Sequence, residues 1–171
     1  MNLGGIFMAR GNAKILYQER LFSIVNIIMF TIAIGVLVFA MFFHSSTQPN
    51  IITFGLLAAL ILAGLNFSKL SIDITNSAVV VGYGILTQIV PLNQIQYAEI
   101  DPIPGVGWLI QMSSYKGRHR LGYHVFGKPK IKITVKQGWF SELSFSTKYP
   151  RHIMEIITGD GAGTRGKIKP R

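Results

Sequence analysis

The chain of 171 residues has no cysteine. That excludes disulfides, thiolate nucleophiles and Cys-ligated metals, and it is compatible with a cytoplasmic domain. Charge is also missing over one long stretch: residues 21–68 contain no Asp, Glu, Lys or Arg. Acidic residues are scarce throughout, 7 against 17 Lys and Arg, for a net charge of +10. Between Asp101 and Glu142 there is no carboxylate, and no pair of carboxylates in the chain stands out as catalytic.

Within the uncharged stretch lie two apolar runs. Phe22–Phe43 has 22 residues with only Ser23, Asn26 and Thr31 clearly polar. At about 1.5 Å per residue it reaches roughly 33 Å, enough for a hydrocarbon core. The run is too long and starts too late for a signal peptide, and the Phe42-Phe43-His44 context is wrong for cleavage. Ile51–Phe67 is the second run, short for a span. HSSTQPN joins the two so tightly that they form an antiparallel hairpin. Gly55, Ala59 and Ala63 recur every four residues, which predicts a small-residue face for close helix packing. Arg10, Lys14 and Arg20 precede the hairpin and Lys69 follows it, while the connecting loop has no Lys or Arg. The positive-inside rule then predicts a multi-pass protein of the cytoplasmic membrane with both termini cytoplasmic.

After Lys69 the period changes to two. Leu70, Ile72 and Ile74 alternate with Ser71, Asp73 and Thr75, a half-buried strand. Asn76-Ser77 turns the chain into Ala78–Tyr83, valine-rich and central, and Gly84 marks a bend before Ile85–Pro91. Leu92–Ile100 fits a strand or a short helical turn, and Pro102, Pro104 and two glycines make Asp101–Gly107 a loop. Trp108–Met112 and Arg120–Val125 are further strands. Lys130–Lys136, KIKITVK, is the clearest: Ile131, Ile133 and Val135 face one way, and Lys130, Lys132, Thr134 and Lys136 the other. Gln137-Gly138 turns it into Glu142–Ser146. Pro150 opens a short helix with Ile153, Ile156 and Ile157 on one face. These readings divide the chain into an N-terminal arm (1–20) with an interfacial lead-in to the helix, a transmembrane hairpin (21–68), a β domain (69–158) and a flexible basic tail (159–171). The fold class is α+β: a helix pair, then a small antiparallel barrel or curved sheet of six or seven strands with a C-terminal helix.

The strand VPLNQIQYAEI, the KITVKQGWFSELSFST hairpin and the YPRHIMEII helix, in that order, resemble the bacterial pleckstrin-homology-like domains. The resemblance covers most of residues 22–158 and includes the membrane helix pair placed before such a domain in membrane-flanked relatives. The long GWLIQMSSYKGRHRLGYHVFGKPK segment departs from the pattern, as does the short final helix. The resemblance implies a binding or assembly module and does not imply catalysis.

The acid-free segment concentrates Lys116, Arg118, Arg120, Lys128, Lys130, Lys132 and Lys136. Beneath a membrane such a face meets anionic lipid, at about 1 kcal/mol per nearby basic residue. An acidic protein surface would serve as well, and a solvated face is the bland reading. The expectation is a basic surface turned toward the membrane that anchors it. Nucleic acid is not expected, since no recognised motif accompanies the charge. His44, His119, His124 and His152 do not converge in sequence, so no metal site or cofactor is expected. Ser113 and Ser114 lack a nucleophile elbow, and Gly105-Val106-Gly107 lacks a phosphate-loop continuation. Trp108, Phe126 and Trp139 are core or interfacial aromatics. The functional expectation is a non-catalytic membrane-anchored binding or scaffolding subunit, with lipid, other membrane subunits or a second copy as partner. An accessory subunit of a membrane enzyme or transporter, or a purely structural subunit, are the alternatives.

Overall fold

The computed structural model describes residues 14–43, 51–101, 103, 109–115 and 118–159. The predicted strands after Lys69 are present, and one unforeseen strand precedes the helices. Strand β1 (Ile15–Phe22) runs straight into helix α1 (Ile24–Phe43), and helix α2 (Ile51–Phe67) leads back into β2 (Lys69–Thr75). Strands β1 and β2 are antiparallel neighbours, with Leu21 opposite Leu70 and Phe22 opposite Lys69. The ladder continues one step further, Ser23 N–H donating to the Ser68 carbonyl at 2.9 Å. The helix pair is thus the connection between two adjacent strands. This corrects two expectations: residues 15–20 are not an arm or an interfacial lead-in, and the β domain does not begin at Lys69.

Strands β3 (Ala78–Tyr83) and β4 (Leu86–Pro91) complete a four-stranded antiparallel sheet in the order β1-β2-β3-β4. A single 3₁₀ turn at Leu92–Gln94 leads into a second sheet. That sheet contains β5 (Ile95–Asp101), β6 (Leu109–Tyr115), β7 (Arg118–His124), β8 (Lys130–Val135) and β9 (Glu142–Ser146), in the order β5-β8-β9-β7-β6. The β8–β9 hairpin is antiparallel as expected, but β7 runs parallel to β9. The expected single antiparallel sheet or barrel is therefore two sheets, the second mixed. The cause is the β6–β7 hairpin, which docks on the free side of β9. Helix α3 (Pro150–Thr158) buries Ile153 and Ile157 against the core, as its spacing predicts.

One cluster of buried side chains draws on both sheets. Leu70, Ile72, Ile74, Val79 and Val81 come from the first sheet, and Leu121, Ile131, Ile133, Leu143 and Phe145 from the second. Glu19 lies among them, only 7% exposed. Its Oε2 accepts from the Thr147 hydroxyl at 2.6 Å and the Tyr17 hydroxyl at 2.8 Å, and its Oε1 accepts from Lys148 N–H at 2.9 Å. Burial, with the adjacent carboxylate, holds the Tyr17 phenol well above its ordinary value. Outside the core, the Arg20 guanidinium grips Asp73 through both carboxylate oxygens, at 2.8 and 3.3 Å.

The helices join the sheet through a collar of polar groups. Asn26 Nδ2 donates to the Phe67 carbonyl at 2.9 Å, and the Ser68 hydroxyl to the Leu65 carbonyl at 2.8 Å. Both satisfy carbonyls that the end of α2 leaves without helical partners. Phe67 carries the contact inward, its ring 6.3 Å from Phe30 and 6.0 Å from Tyr83. Beyond the collar most of the helix surface is open and apolar. Ile28, Ile32, Val36 and Phe39 of α1 and Ile52, Leu56, Leu62 and Leu65 of α2 are exposed. By length and composition α1 is sufficient to cross a membrane, and α2 is a shorter apolar helix.

The helix-packing face is not the predicted one. Gly55 meets no atom within 4 Å at a virtual Cβ, Ala59 is exposed and Ala63 only half-buried. The less exposed side of α2 instead carries Thr53, Leu57, Leu60, Gly64 and Phe67, spaced by three and four residues. Of the glycines in the two helices, Gly64 is the one in close approach, where an added Cβ would sit 3.2 Å from Phe30 Cβ, while Gly35 and Gly55 meet nothing within 4 Å.

Two outcomes follow. Gly64→Leu overpacks this crossing and should cost about 1–3 kcal/mol, while Gly55→Leu should be neutral, as read by thermal unfolding in detergent. Glu19→Ala strands the Thr147 and Lys148 donors and should also cost about 1–3 kcal/mol. A Glu19→Ala protein as stable as the parent would contradict the role given to this carboxylate.

Candidate binding surface

The alternation of KIKITVK is borne out for packing: Ile131, Ile133 and Val135 are buried and the lysines point to the opposite face. The charge on that face is not free. Register sets Glu99 opposite Lys132 and Asp101 opposite Lys130. Lys130 Nζ lies 3.3 Å from Asp101 Oδ2, and Lys132 Nζ 3.2 Å from the same oxygen and 3.8 Å from Glu99. The surface is an ordered grid across the second sheet. One row reads Glu99, Lys132, Ser144, Gly122, Gln111; the next reads Tyr97, Thr134, Glu142, Arg120, Ser113. Arg120 Nε comes within 3.5 Å of Glu142 in that second row.

Three of the seven candidate basic residues are therefore ion-paired. The two acids that bound the acid-free segment fold back onto it, and Glu99 joins them. Lys128 is half-buried in the β7–β8 connection and Lys136 is exposed; no ion pair involves either among the described residues. Lys116 lies outside the described residues, as do Trp108, the tail from 160 on and residues 1–13. Arg118 is described only by its place on β7. The missed signal was present in the sequence: Glu99 and Asp101 recur with the same period of two as Lys130 and Lys132.

The most charged side chain at the Asp101 corner is itself constrained. Burial works to raise the Asp101 carboxyl, but the Ile103 N–H, at 3.0 Å, and the two lysines outweigh it and hold it below its ordinary value. Nearby His124 is only 5% exposed. Its Nε2 lies 3.3 Å from the Ser144 hydroxyl, and its ring sits where a Cβ on Gly122 would be. Nδ1 has no hydrogen-bond partner among the described residues. Burial, aided by the Lys130 charge, lowers the imidazole to about 4, although Asp101 acts in the other direction. The His124 carbonyl accepts the Tyr83 hydroxyl at 2.6 Å, which ties the second sheet to the helix end of the first.

Distance from the helices separates the remaining free groups. The tip of the β8–β9 hairpin holds Lys136, Gln137, Gly138 and Trp139, with Trp139 53% exposed and Phe140 buried. Lys136 N–H donates to the Gln94 carbonyl, two residues beyond Leu92, whose N–H bonds Ser77. Ser77 precedes β3 at the end away from α1 and α2. The tip therefore lies at the end of the first sheet away from the helices. Trp139 stands beside Lys136 there, stacked edge-on against Phe140 with ring centres 5.1 Å apart. Among the described residues no group of three or more His, Asp or Glu is placed to hold a metal ion.

The His124 environment makes stability pH-dependent with a definite sign. Below its ordinary value of 6.5 the unfolded imidazole binds a proton that the folded one, at about 4, refuses. The contribution is complete above the unfolded value and is lost as pH falls toward the folded one, by up to about 1.4 kcal/mol per pH unit. His124→Gln should remove this component, seen as a shallower dependence of urea midpoint on pH across that interval. Equal slopes for the two proteins would overturn the assignment.

No protein-family model, curated protein or solved structure matches this chain.

Proposed function

We propose that the chain is a non-catalytic, membrane-anchored binding or scaffolding subunit, built on a pleckstrin-homology-like β domain. In this reading α1 and α2 cross the cytoplasmic membrane together and both termini are cytoplasmic. The observation that carries it is the insertion of an apolar helix pair between the paired strands β1 and β2. An anchor joined by one flexible linker lets a domain wander. An anchor entering and leaving through adjacent strands, sealed by the Asn26 and Ser68 collar, holds the domain at one height. The extensive exposed apolar surface of both helices supports the membrane reading, since isolated soluble proteins rarely leave so much uncovered. Basic flanks at Lys14, Arg20 and Lys69 support the cytoplasmic orientation.

The surface that meets a partner is the hairpin tip around Lys136 and Trp139. Its distance from the helices favours an acidic protein surface within a membrane complex over lipid. An exposed tryptophan beside an unpaired lysine is a composition favoured at protein contacts. Ion pairing of Lys130, Lys132 and Arg120 leaves the middle of the sheet less suited to attract a polyanion. The non-catalytic reading draws support from His124 and Ser144: among the described residues theirs is the Ser–His pair joined side chain to side chain, and its imidazole is sealed from solvent.

Cysteine-free, the chain accepts single probes directly. Ser45→Cys in membrane vesicles of known sidedness should react with an impermeant maleimide from outside, and Lys136→Cys only after permeabilisation. A photo-crosslinker at Trp139 should join a protein of the same membrane, and Lys136→Glu should reduce that product. Equal outside labelling of both cysteines would reject the topology, and a Trp139 probe that captures only lipid would reject the tip as a protein contact.

A further inference from the structure

At the end of the first sheet that carries the helices, the ends of all four strands line up. Phe22 closes β1, Lys69 opens β2 opposite it, and the Gly84-Ile85 turn joins β3 to β4 next to Leu70, which faces Tyr83. Ile85 is 84% exposed, Phe22 64%, and Lys69 is exposed beside them. An isoleucine at the tip of a two-residue turn has no core to fill, and turn chemistry does not ask for one.

The turn is not free to swing. Ile85 N–H donates to Asn66 Oδ1 at 2.9 Å, and Asn66 Nδ2 reaches toward the Tyr83 carbonyl at 3.5 Å. Gly84 has a φ of +50°, and a Cβ there would collide with the Asn66 side chain. Asn66 belongs to the last turn of α2, directly after the exposed Leu65. The helix therefore clamps the turn against its own apolar flank, and Ile85 extends that flank sideways.

We infer that the Gly84-Ile85 turn is a third membrane contact beside the two helices, with bilayer lipid as its occupant. Ile85 and Phe22 enter the boundary between headgroups and acyl chains, and Lys69 meets the lipid phosphates between them. Lipid is the occupant because Asn66 bonds the turn to the last turn of α2, next in sequence to exposed Leu65, so the turn lies at the depth where that apolar helix ends. A pair of packed helices resists vertical movement but allows the domain to rock about the line joining them. A contact to one side stops the rocking. Such a footing fixes the tilt at which the distal hairpin tip is presented. The inference rests on the membrane reading of α1 and α2.

The test uses the full chain in lipid nanodiscs, with an environment-sensitive fluorophore on one introduced cysteine at a time. Ile28→Cys reports α1, Ile85→Cys the turn and Gln137→Cys the distal tip. Lipids carrying a shallow nitroxide should quench the labels at 28 and 85, while aqueous iodide should quench only the label at 137. A label at 85 that is open to iodide and untouched by nitroxide, with the label at 28 quenched by nitroxide, overturns the turn contact and leaves the membrane reading standing. A label at 28 open to iodide overturns both.

Discussion

The hydrogen bond from Ser23 N–H to the Ser68 carbonyl, 2.9 Å long, closes a ladder interrupted by two whole helices. Residues that far apart in sequence are costly to bring together in a flexible chain, although the cost grows only as the logarithm of length. Here the intervening chain is stiff and folds back on itself. Helices of 20 and 17 residues are about 30 and 26 Å long, so an antiparallel pair returns the chain close to where it left. The register of β1 on β2 then decides how the helices stand on the sheet, and the sheet decides where everything after Thr75 lies. Neither half is a module appended to the other.

Strand β1 is also bound from the opposite end of the sequence. Glu19 accepts hydrogen bonds from Thr147 and Lys148, between β9 and α3, as well as from Tyr17. A carboxylate removed from water requires such compensation, and hydrogen bonds to a charged group are worth about 1.5–3 kcal/mol each. The donors are neutral, so the arrangement is specific in geometry: it needs β1 and the approach to α3 in one relative position. The Tyr17 ring meets His152 of α3 edge-on, centres 5.5 Å apart, and adds a second contact across the same seam. The first strand, the apolar helix pair and the last helix thereby form one mechanical unit around the core.

That carboxylate explains why β1 was illegible in the sequence while β2, β3, β8 and β9 were plain. The core-facing positions of ILYQERLF are Tyr17, Glu19 and Leu21. With Glu in the middle, the period of two reads as a charged lead-in instead of a half-buried strand. In KIKITVK every inward position is aliphatic, and the pattern stands out. Helix packing was misread for a related reason. Small residues every four positions are conspicuous, yet Gly55 and Ala59 are exposed, and the contact with α1 runs through Gly64 and Phe67 on the less exposed side of the helix. In an uncharged helix every face is apolar, so periodicity cannot say which one is turned inward. The basic run was legible as composition only, because its neutralising partners lie on β5 and become neighbours through strand order, which local patterns do not encode.

The placement of charge gives the two ends of the domain different chemistry. The excess of basic residues that dominates the sequence is partly spent within the second sheet, where Glu99, Asp101 and Glu142 take up Lys132, Lys130 and Arg120. Four more basic residues, Arg165, Lys167, Lys169 and Arg171, lie outside the described residues. Among the described residues no ion pair involves Lys14, Lys69, Lys128, Lys136, Lys148 or Arg151, and two of these stand at opposite ends: Lys69 with apolar Phe22 and Ile85 where the helices leave the sheet, and Lys136 with Trp139 at the far end. A uniformly basic domain would lie down on an anionic bilayer along whichever face came first, since attraction to a charged plane carries no geometric preference. Neutralising the broad face removes that competing orientation. On the proposed membrane reading the protein can then stand on its helices with the hairpin tip outward, and the pairing across β5 and β8 serves that orientation by what it prevents.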